Sequence, residues 1–480
     1  MKRHFHLLSV GILVVIVLWG GFVRLWKLGE QSLWIDEGFT LNAVRSIGER
    51  GVPLLDSGRF YGNGVANTYL VALSEKIFGS DPFNPWSARL PAALFGTALV
   101  IAVYILAKEL TGDEILSLSA AFVIAFSTWE IAWSRQARGY ALASLLIVAA
   151  FVFLSRSLRS GRFVDKAFFV MSLFLACFSQ ESALALVPAL IVVGMGIRNP
   201  FRAAFVAMAL CFVVYAIVPG APLRWIPQYI HALPMELLIA LCGSICAAIV
   251  CLFKIGEVNK RNTISFLLVP AGIATAVIVL FSPAPQVRYL FPLYPLFVVA
   301  TLLFVRMVTD TVFVQNSKKV RSILFVVIIL APALSFLDVV PRSIRFLERG
   351  SPQPDFKTVY SMIKNDRTER DVVISGFSQL HKVYLEEKGL WLKMNFNGDP
   401  LRVEDKVING RDFYVGASIV SSVHELQGII AKRHGFIIVD SMTDRQIPEL
   451  FPMLEENPLV KRIYSDLGEK NGAPIYLYRF

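Results

Sequence analysis

Leu7-Leu-Ser-Val-Gly-Ile-Leu-Val-Val-Ile-Val-Leu-Trp19-Gly-Gly-Phe22-Val23 is an unbroken apolar run. About a dozen residues later comes Ser32-Leu33-Trp34-Ile35-Asp36-Glu37-Gly38. The run is long enough for a membrane helix. The second stretch puts two adjacent carboxylates next to large apolar residues and close to a bilayer face. Charge there is costly unless it is paired or used. The plainer reading is a solvated acid pair beside an interfacial tryptophan. Lys2-Arg3 ahead of the run suggests a signal peptide, but no small-x-small cleavage site follows. The run is therefore expected to stay as an uncleaved first span.

Working outward, the 480 residues are 55% hydrophobic and 17% charged. That balance predicts a polytopic α-helical membrane protein. The net charge of +11 raises the question of nucleic acid, but no basic stripe with interleaved aromatics occurs. All five cysteines, Cys177, Cys211, Cys242, Cys246 and Cys251, fall in apolar segments. Disulfides and redox chemistry are not expected. Cys242 and Cys246 have no histidine or acidic company, so packing suits them better than metal.

Apolar runs predict about eleven transmembrane helices, near 7–23, 90–107, 115–133, 139–155, 167–178, 183–197, 203–219, 235–253, 264–281, 289–305 and 322–338. Arg156, Arg159, Arg162, Lys166, Arg198, Arg202, Lys254, Lys260, Arg261, Arg306, Lys318, Lys319 and Arg321 all lie in alternate short loops. The opposite loops at about 179–182 and 220–234 carry only Arg224. The positive-inside rule then predicts a plasma-membrane protein with a cytoplasmic N-terminus and an extracytoplasmic C-terminus. Asp36 and Glu37 would face outward.

The domain expectation is a transmembrane domain over 1–338, with a long first outer segment at 24–88, and a soluble domain over 339–480. Within the outer segment, Gly38 to Arg50 reads as a helix ended by Gly51-Val-Pro53. Thr68 to Phe78 reads as a second amphipathic piece. Both suit helices lying along a membrane surface. The tail alternates strand and helix signals: strands at 371–375, 412–416, 435–440 and 474–479, and a helix at 423–434. It is read as an extracytoplasmic α/β domain, and it has no glycine-rich phosphate loop.

Three more polar groups fall on the outer side. Ser134-Arg135-Gln-Ala-Arg138-Gly-Tyr140 carries two arginines three apart, which would share a helix face. They suit a phosphate site, or simple snorkelling at the interface. Arg288-Tyr289-Leu-Phe-Pro292-Leu-Tyr294-Pro295 suggests a partly unwound helix end. In Ser179-Gln180-Glu181-Ser182, Glu181 either caps a helix or lines a cavity. An acid pair with several arginines at one face suits glycosyl transfer from a phosphate-linked lipid. A carboxylate takes the acceptor hydroxyl proton, the oxygen attacks the anomeric carbon, and the phosphate leaves with cationic help. One displacement with one base inverts the anomeric centre.

At these residues the chain resembles the lipid-linked-sugar glycosyltransferases of the GT-C superfamily, in the prokaryotic branch related to protein mannosyltransferases and to aminoarabinose transferases of lipid A. The resemblance rests on Leu33-Trp34-Ile35-Asp36-Glu37, Ala88-Arg89-Leu90-Pro91, Ser134-Arg135-Gln-Ala-Arg138-Gly-Tyr140 and Arg288-Tyr289-Leu-Phe-Pro292, in that order. It implies a GT-C fold and a polyprenyl-phosphate sugar donor. Asp36 would be the catalytic base and Glu37 the second acid of the pair. It implies Arg138 and Arg288 on the carrier phosphate, with Tyr140 and Tyr289 lining the cavity; Arg135, Arg89 and Glu181 are read as further candidate substrate-binding residues. Many relatives have a histidine where this chain has Gln180-Glu181. No cofactor and no metal site are implied; a divalent cation held partly by substrate stays open. The expected partners are the lipid-linked donor, a protein, lipid or glycan acceptor, and membrane lipids. Readings from other classes are a transporter or flippase of a lipid-linked intermediate, which needs no base at Asp36, and a membrane scaffold displaying its tail.

Overall fold

The computed structural model describes residues 2–194, 234–253, 258–281, 287–313, 317, 320–327, 354–393, 407–440, 443, 447, 449–467 and 473–480. The chain forms two compact units. One comprises Met1–Leu25, Ala92–Arg135 and Gly139–Val340; the other comprises Trp26–Pro91, Gln136–Arg138 and Pro341–Phe480.

The first unit is helical. Among the described residues, five helices are long and apolar enough to cross a membrane: Leu7–Leu25, Trp86–Thr111, Tyr140–Ser160, Val258–Val279 and Val287–Val312. A sixth span is counted if Glu114–Phe126 and Thr128–Ser134, bent by 59° at their junction, are taken together. Phe163–Ser179, Leu186–Gly194 and Met235–Leu252 are further helices at predicted spans. The predicted span at 203–219 lies outside the described residues, as do 328–338 of the last span, Cys211 and Gln286.

The bend has an identifiable cause. Breaking a helix exposes carbonyls on one side and N–H groups on the other. On the carbonyl side, the fully buried Arg24 donates to Ile124 O at 3.1 Å and to Ala125 O at 3.4 Å. On the N–H side, Glu236 accepts from Thr128 N at 2.9 Å and Trp129 N at 3.3 Å, as well as from the Ser127 hydroxyl. A guanidinium and a carboxylate placed at these ends complement the helix dipoles.

Several loops read as sharing one membrane face meet at one end of this unit. Glu109 takes ion pairs from Arg156, at 3.4 Å, and from Arg159. Nearby in sequence, Asp113 pairs with Arg306 at 3.1 Å. Asp310 then joins Lys260 at 2.8 Å and Arg321 at 3.6 Å.

The second unit is built on an eight-stranded mixed sheet. Its strands are β1 (Val372–Ser375), β2 (Leu390–Leu392), β3 (Val407–Ile408), β4 (Arg411–Asp412), β5 (Ser418–Val420), β6 (Gly435–Asp440), β7 (Lys461–Asp466) and β8 (Ile475–Arg479), in the order β3-β4-β5-β2-β1-β6-β8-β7. The run β5-β2-β1-β6 is parallel. Parallel strands need both faces covered, and every residue of β6 is buried. Side chains alternate accordingly. Val373, Phe436 and Ile438 join a core with the helices Phe356–Asp366 and Ser378–Leu385. Ile374, Ile437 and Val439 join another with Val423–Ile430 and Leu450–Glu456. Leu33, Leu41, Val44 and Val71 from the outer segment pack into the first of these cores.

The strand expected at 412–416 is a tight turn instead. Asp412 ends β4, and its carboxylate accepts from the N–H groups of Tyr414, Val415 and Ala417. Gly416 takes a left-handed φ of 74°, which a side chain would strain. Strands β2, β5 and β7 carry too short or too polar a pattern to read from sequence.

His381 is fully buried in this unit, and its Nε2 lies 2.7 Å from Ser375 Oγ. Burial pushes its imidazole down to about 4 from an ordinary 6.5. The unfolded chain therefore binds the extra proton first as pH falls. Stability is fully present above pH 6.5 and is lost between 6.5 and 4, by about 3 kcal/mol. Protection factors of the Val373–Ser375 amides, taken against intrinsic exchange at each pH, are expected to fall across that window in wild type. In His381→Gln they are expected to be flat with pH.

Candidate active site

The Ile35–Arg50 helix carries the acid pair in its first turn, where the positive end of the helix dipole favours carboxylates. Gly51, with φ of 77°, ends the helix where the sequence places the stop. Gly38 allows a close approach: a Cβ there would sit 3.1 Å from Leu380 and 3.2 Å from Gln379, so those side chains would have to shift by a few tenths of an ångström. Asn42 Nδ2 donates to Gln379 O at 3.2 Å and Arg45 to Lys382 O at 3.3 Å. The helix is thereby bolted to Ser378–Leu385 of the tail.

The two acids have different surroundings. Glu37 has no solvent exposure. It takes a two-pronged ion pair from Arg89, with Nε at 2.8 Å and Nη2 at 2.7 Å. It also accepts from Trp34 N at 2.8 Å and Ala137 N at 2.8 Å. Arg89 spends its remaining N–H groups on Leu28 O, Gln31 O and Ser32 O, at 3.0, 3.1 and 2.9 Å. Both groups are consumed by holding three chain segments together, in line with the rule that buried charges persist only when fully paired.

Asp36 keeps 18% of its side chain exposed. Arg138 Nη2 lies 3.8 Å from its carboxylate. Arg138 Nη1 reaches Asp36 O at 3.3 Å, Thr40 Oγ1 at 3.4 Å and the Tyr61 hydroxyl. Thr40 and Tyr61 are themselves 3.3 Å apart. The Glu37 bond to Ala137 N–H fixes the backbone one residue before Arg138. Glu37 therefore positions the guanidinium that faces Asp36. Sequence reasoning singled out neither Thr40 nor Tyr61; Thr40 could have been found as the residue one helical turn beyond Asp36, whereas Tyr61 carries no local signal.

The remaining predicted residues belong to the helical unit. The backbone leaves the helix at Ser134, so Arg135 and Arg138 do not share a helix face. Arg135 turns to the end of the first helix and donates to Val23 O at 3.0 Å and Arg24 O at 3.1 Å. Tyr140 starts the Tyr140–Ser160 helix, fully buried, with its ring 4.7 Å from that of Trp133. Arg288 and Tyr289 are half-buried in the 3-10 helix Val287–Leu293, where a partly unwound end was expected. Pro295 follows in the first turn of Tyr294–Val312. Glu181 is exposed in the first turn of the 3-10 helix Glu181–Ala185. Among the described residues, no group of three or more His, Cys, Asp or Glu side chains is placed to hold a metal ion.

The family model described as dolichyl-phosphate-mannose-protein mannosyltransferase matches residues 64–225. That stretch contains Arg89, Arg135, Arg138, Tyr140 and Glu181 but not Asp36. The fold is similar to the crystal structure of ArnT from Cupriavidus metallidurans in the apo state: TM-score 0.54, 13% identity, covering 100% of this chain and 98% of that one. The same protein bound to undecaprenyl phosphate matches at TM-score 0.54 and 12% identity, with the same coverage. An oligosaccharyltransferase from Archaeoglobus fulgidus, tethered to an acceptor peptide, matches at TM-score 0.52 and 12% identity, covering 93% of this chain and 70% of that one. No curated protein matches in sequence. The class these features define is a multi-pass membrane protein with a C-terminal sheet domain. By its fold, the chain is similar to ArnT and to the archaeal oligosaccharyltransferase.

Proposed function

We propose that the protein is an integral membrane glycosyltransferase that moves a sugar from a polyprenyl-phosphate carrier to an acceptor hydroxyl, with Asp36 as general base and inversion at the anomeric carbon. The observation that carries this reading is the contrast within the acid pair. Glu37 is fully engaged and buried, whereas Asp36 is partly exposed beside a guanidinium. A base must reach a proton on an incoming group, and only Asp36 has that access. The mannosyltransferase family model, and an undecaprenyl-phosphate complex of a protein with this fold, support a lipid-phosphate donor.

The roles follow residue by residue. Asp36 accepts the acceptor proton. Arg138 stabilises negative charge on the departing phosphate, and Arg288 holds the carrier in the helical unit with Tyr140 and Tyr289 as cavity walls. Glu37 and Arg89 act as positioning residues for Arg138 rather than as the second acid and a substrate contact. Residues 1–338, including the outer segment with Asp36, form the transferase; 339–480 form an extracytoplasmic domain. The N-terminus is cytoplasmic and the membrane is the plasma membrane, on the loop charges.

Arg138→Ala is expected to lower kcat/KM for the donor by about 10²–10³-fold, the usual worth of one preorganised donor to a developing anion. Arg138→Lys is expected to recover only part of the loss, because a point charge lacks the planar fork. The measurement is the initial rate of label transfer from radiolabelled polyprenyl-phosphate sugars to a cell-envelope acceptor extract in proteoliposomes. Unchanged rates in Arg138→Ala would remove it from the phosphate site.

A further inference from the structure

The turn that replaces the expected strand at 412–416 has no role in the proton and phosphate chemistry above, yet it is built rigidly against the helix that carries Asp36. Asp412 is buried, and its carboxylate takes the Tyr414, Val415 and Ala417 N–H groups at 2.7, 2.9 and 2.9 Å and the Ser378 hydroxyl at 3.1 Å. Ser57 N then donates to Tyr414 O at 3.2 Å, tying the turn to the outer segment. What the turn delivers is aromatic. The Tyr414 ring lies 4.3 Å from Phe39 and 5.1 Å from Phe413, and Arg59 sits 4.2 Å above the Phe413 ring.

Tyr414 is only half-buried, although its ring packs against the acid helix. The Asp36 carboxylate is close enough to push the phenol up, in addition to the effect of burial. Arg59 and Phe60 at the rim are exposed. A half-buried aromatic ring packed on the helix that carries a carboxylate, beside a second ring capped by a guanidinium, is an arrangement suited to a sugar. The apolar C–H face of a pyranose or furanose packs on the ring, and its hydroxyls donate to carboxylate and accept from guanidinium. A ring held by a locked turn loses little freedom on binding.

We propose that Tyr414 of the C-terminal domain is a specificity-determining residue that stacks on the sugar ring entering beside Asp36. The tail is then part of the transfer site rather than a passive brace. This rests on the glycosyltransferase reading. The ring belongs either to the donor sugar or to a saccharide acceptor, and the two sources are separable by experiment.

The full-length protein in nanodiscs is presented with methyl glycosides of several hexoses and pentoses. Ligand-proton saturation transfer is then measured by NMR for wild type, Tyr414→Phe and Tyr414→Ala. Wild type and Tyr414→Phe are expected to saturate the sugar ring protons, and Tyr414→Ala to lose that signal. In the transfer assay, Tyr414→Ala is expected to raise one KM about tenfold, the worth of one aromatic contact, with kcat nearly unchanged. A rise in donor KM assigns the ring to the donor sugar; a rise in acceptor KM assigns it to the acceptor. Tyr414→Leu, which keeps the packing on Phe39, replaces Tyr414→Ala if the latter does not fold. Equal saturation in wild type and the ring-less variant, or no saturation by any glycoside in wild type, overturns the proposal. Saturation needs no turnover, so absence of label transfer by wild type counts against the glycosyltransferase reading separately.

Discussion

Asp36→Asn is expected to fold like wild type and to lose label transfer by about 10²–10⁴-fold, the range for removing a positioned general base. The near-isosteric amide keeps the volume and the helix position, and the Asp36 backbone oxygen still accepts from Arg138. What disappears is the capacity to take a proton. The carboxylate is partly exposed, with Arg138 Nη2 at 3.8 Å, and the amide keeps an oxygen that can accept hydrogen bonds. Asp36→Glu is expected to keep a small residual rate, because the base is present but displaced by one methylene. The checks are initial rates alongside thermal melts in the same lipid. A loss of rate accompanied by an equal loss of melting temperature would point to folding instead of chemistry.

Glu37→Ala is expected to show the opposite pattern, a large loss of stability with inactivity as its consequence. Removing the carboxylate strands Arg89 in a buried site with 2% of its side chain exposed, and leaves the Trp34 and Ala137 N–H groups without their acceptor. Breaking a buried pair from one side costs about 3–5 kcal/mol. Arg89→Ala is expected to cost a similar amount, because three backbone carbonyls lose their donor with it. The double variant should cost clearly less than the two singles added, the signature of groups acting as one unit. It should not return to wild-type stability, since the backbone groups remain unpaired. Chemical denaturation in matched detergent gives all three values. An additive double variant would break the link between Glu37 and Arg89.

The behaviour of this acid pair shows what was legible in the sequence. Two carboxylates beside Trp34 marked the place, and Ala88-Arg89-Leu90-Pro91 marked another, but nothing local says that Glu37 and Arg89 close on each other. That bond spans 52 positions, and the division of labour between Asp36 and Glu37 follows from it. The membrane helices were readable because length and apolarity alone define them. The helix at 38–50 and its stop were readable from periodicity and Gly51-Val-Pro53. The 412–416 turn was misread because Phe-Tyr-Val has strand composition; what bends it is the Asp412 carboxylate and the left-handed Gly416. Arg135 was misjudged for a related reason. Three-residue spacing puts two arginines on one face only while the helix continues, and this helix stops at Ser134.

The central claim is that Asp36 is the base of a sugar transfer from a lipid phosphate. Its most direct measurement is label transfer from polyprenyl-phosphate sugars of defined anomeric configuration, in proteoliposomes of wild type and of folded Asp36→Asn, with the product configuration read by NMR. The account predicts that label moves only with wild type and that the product anomer is inverted. Equal transfer by Asp36→Asn, or a retained anomer, would contradict it.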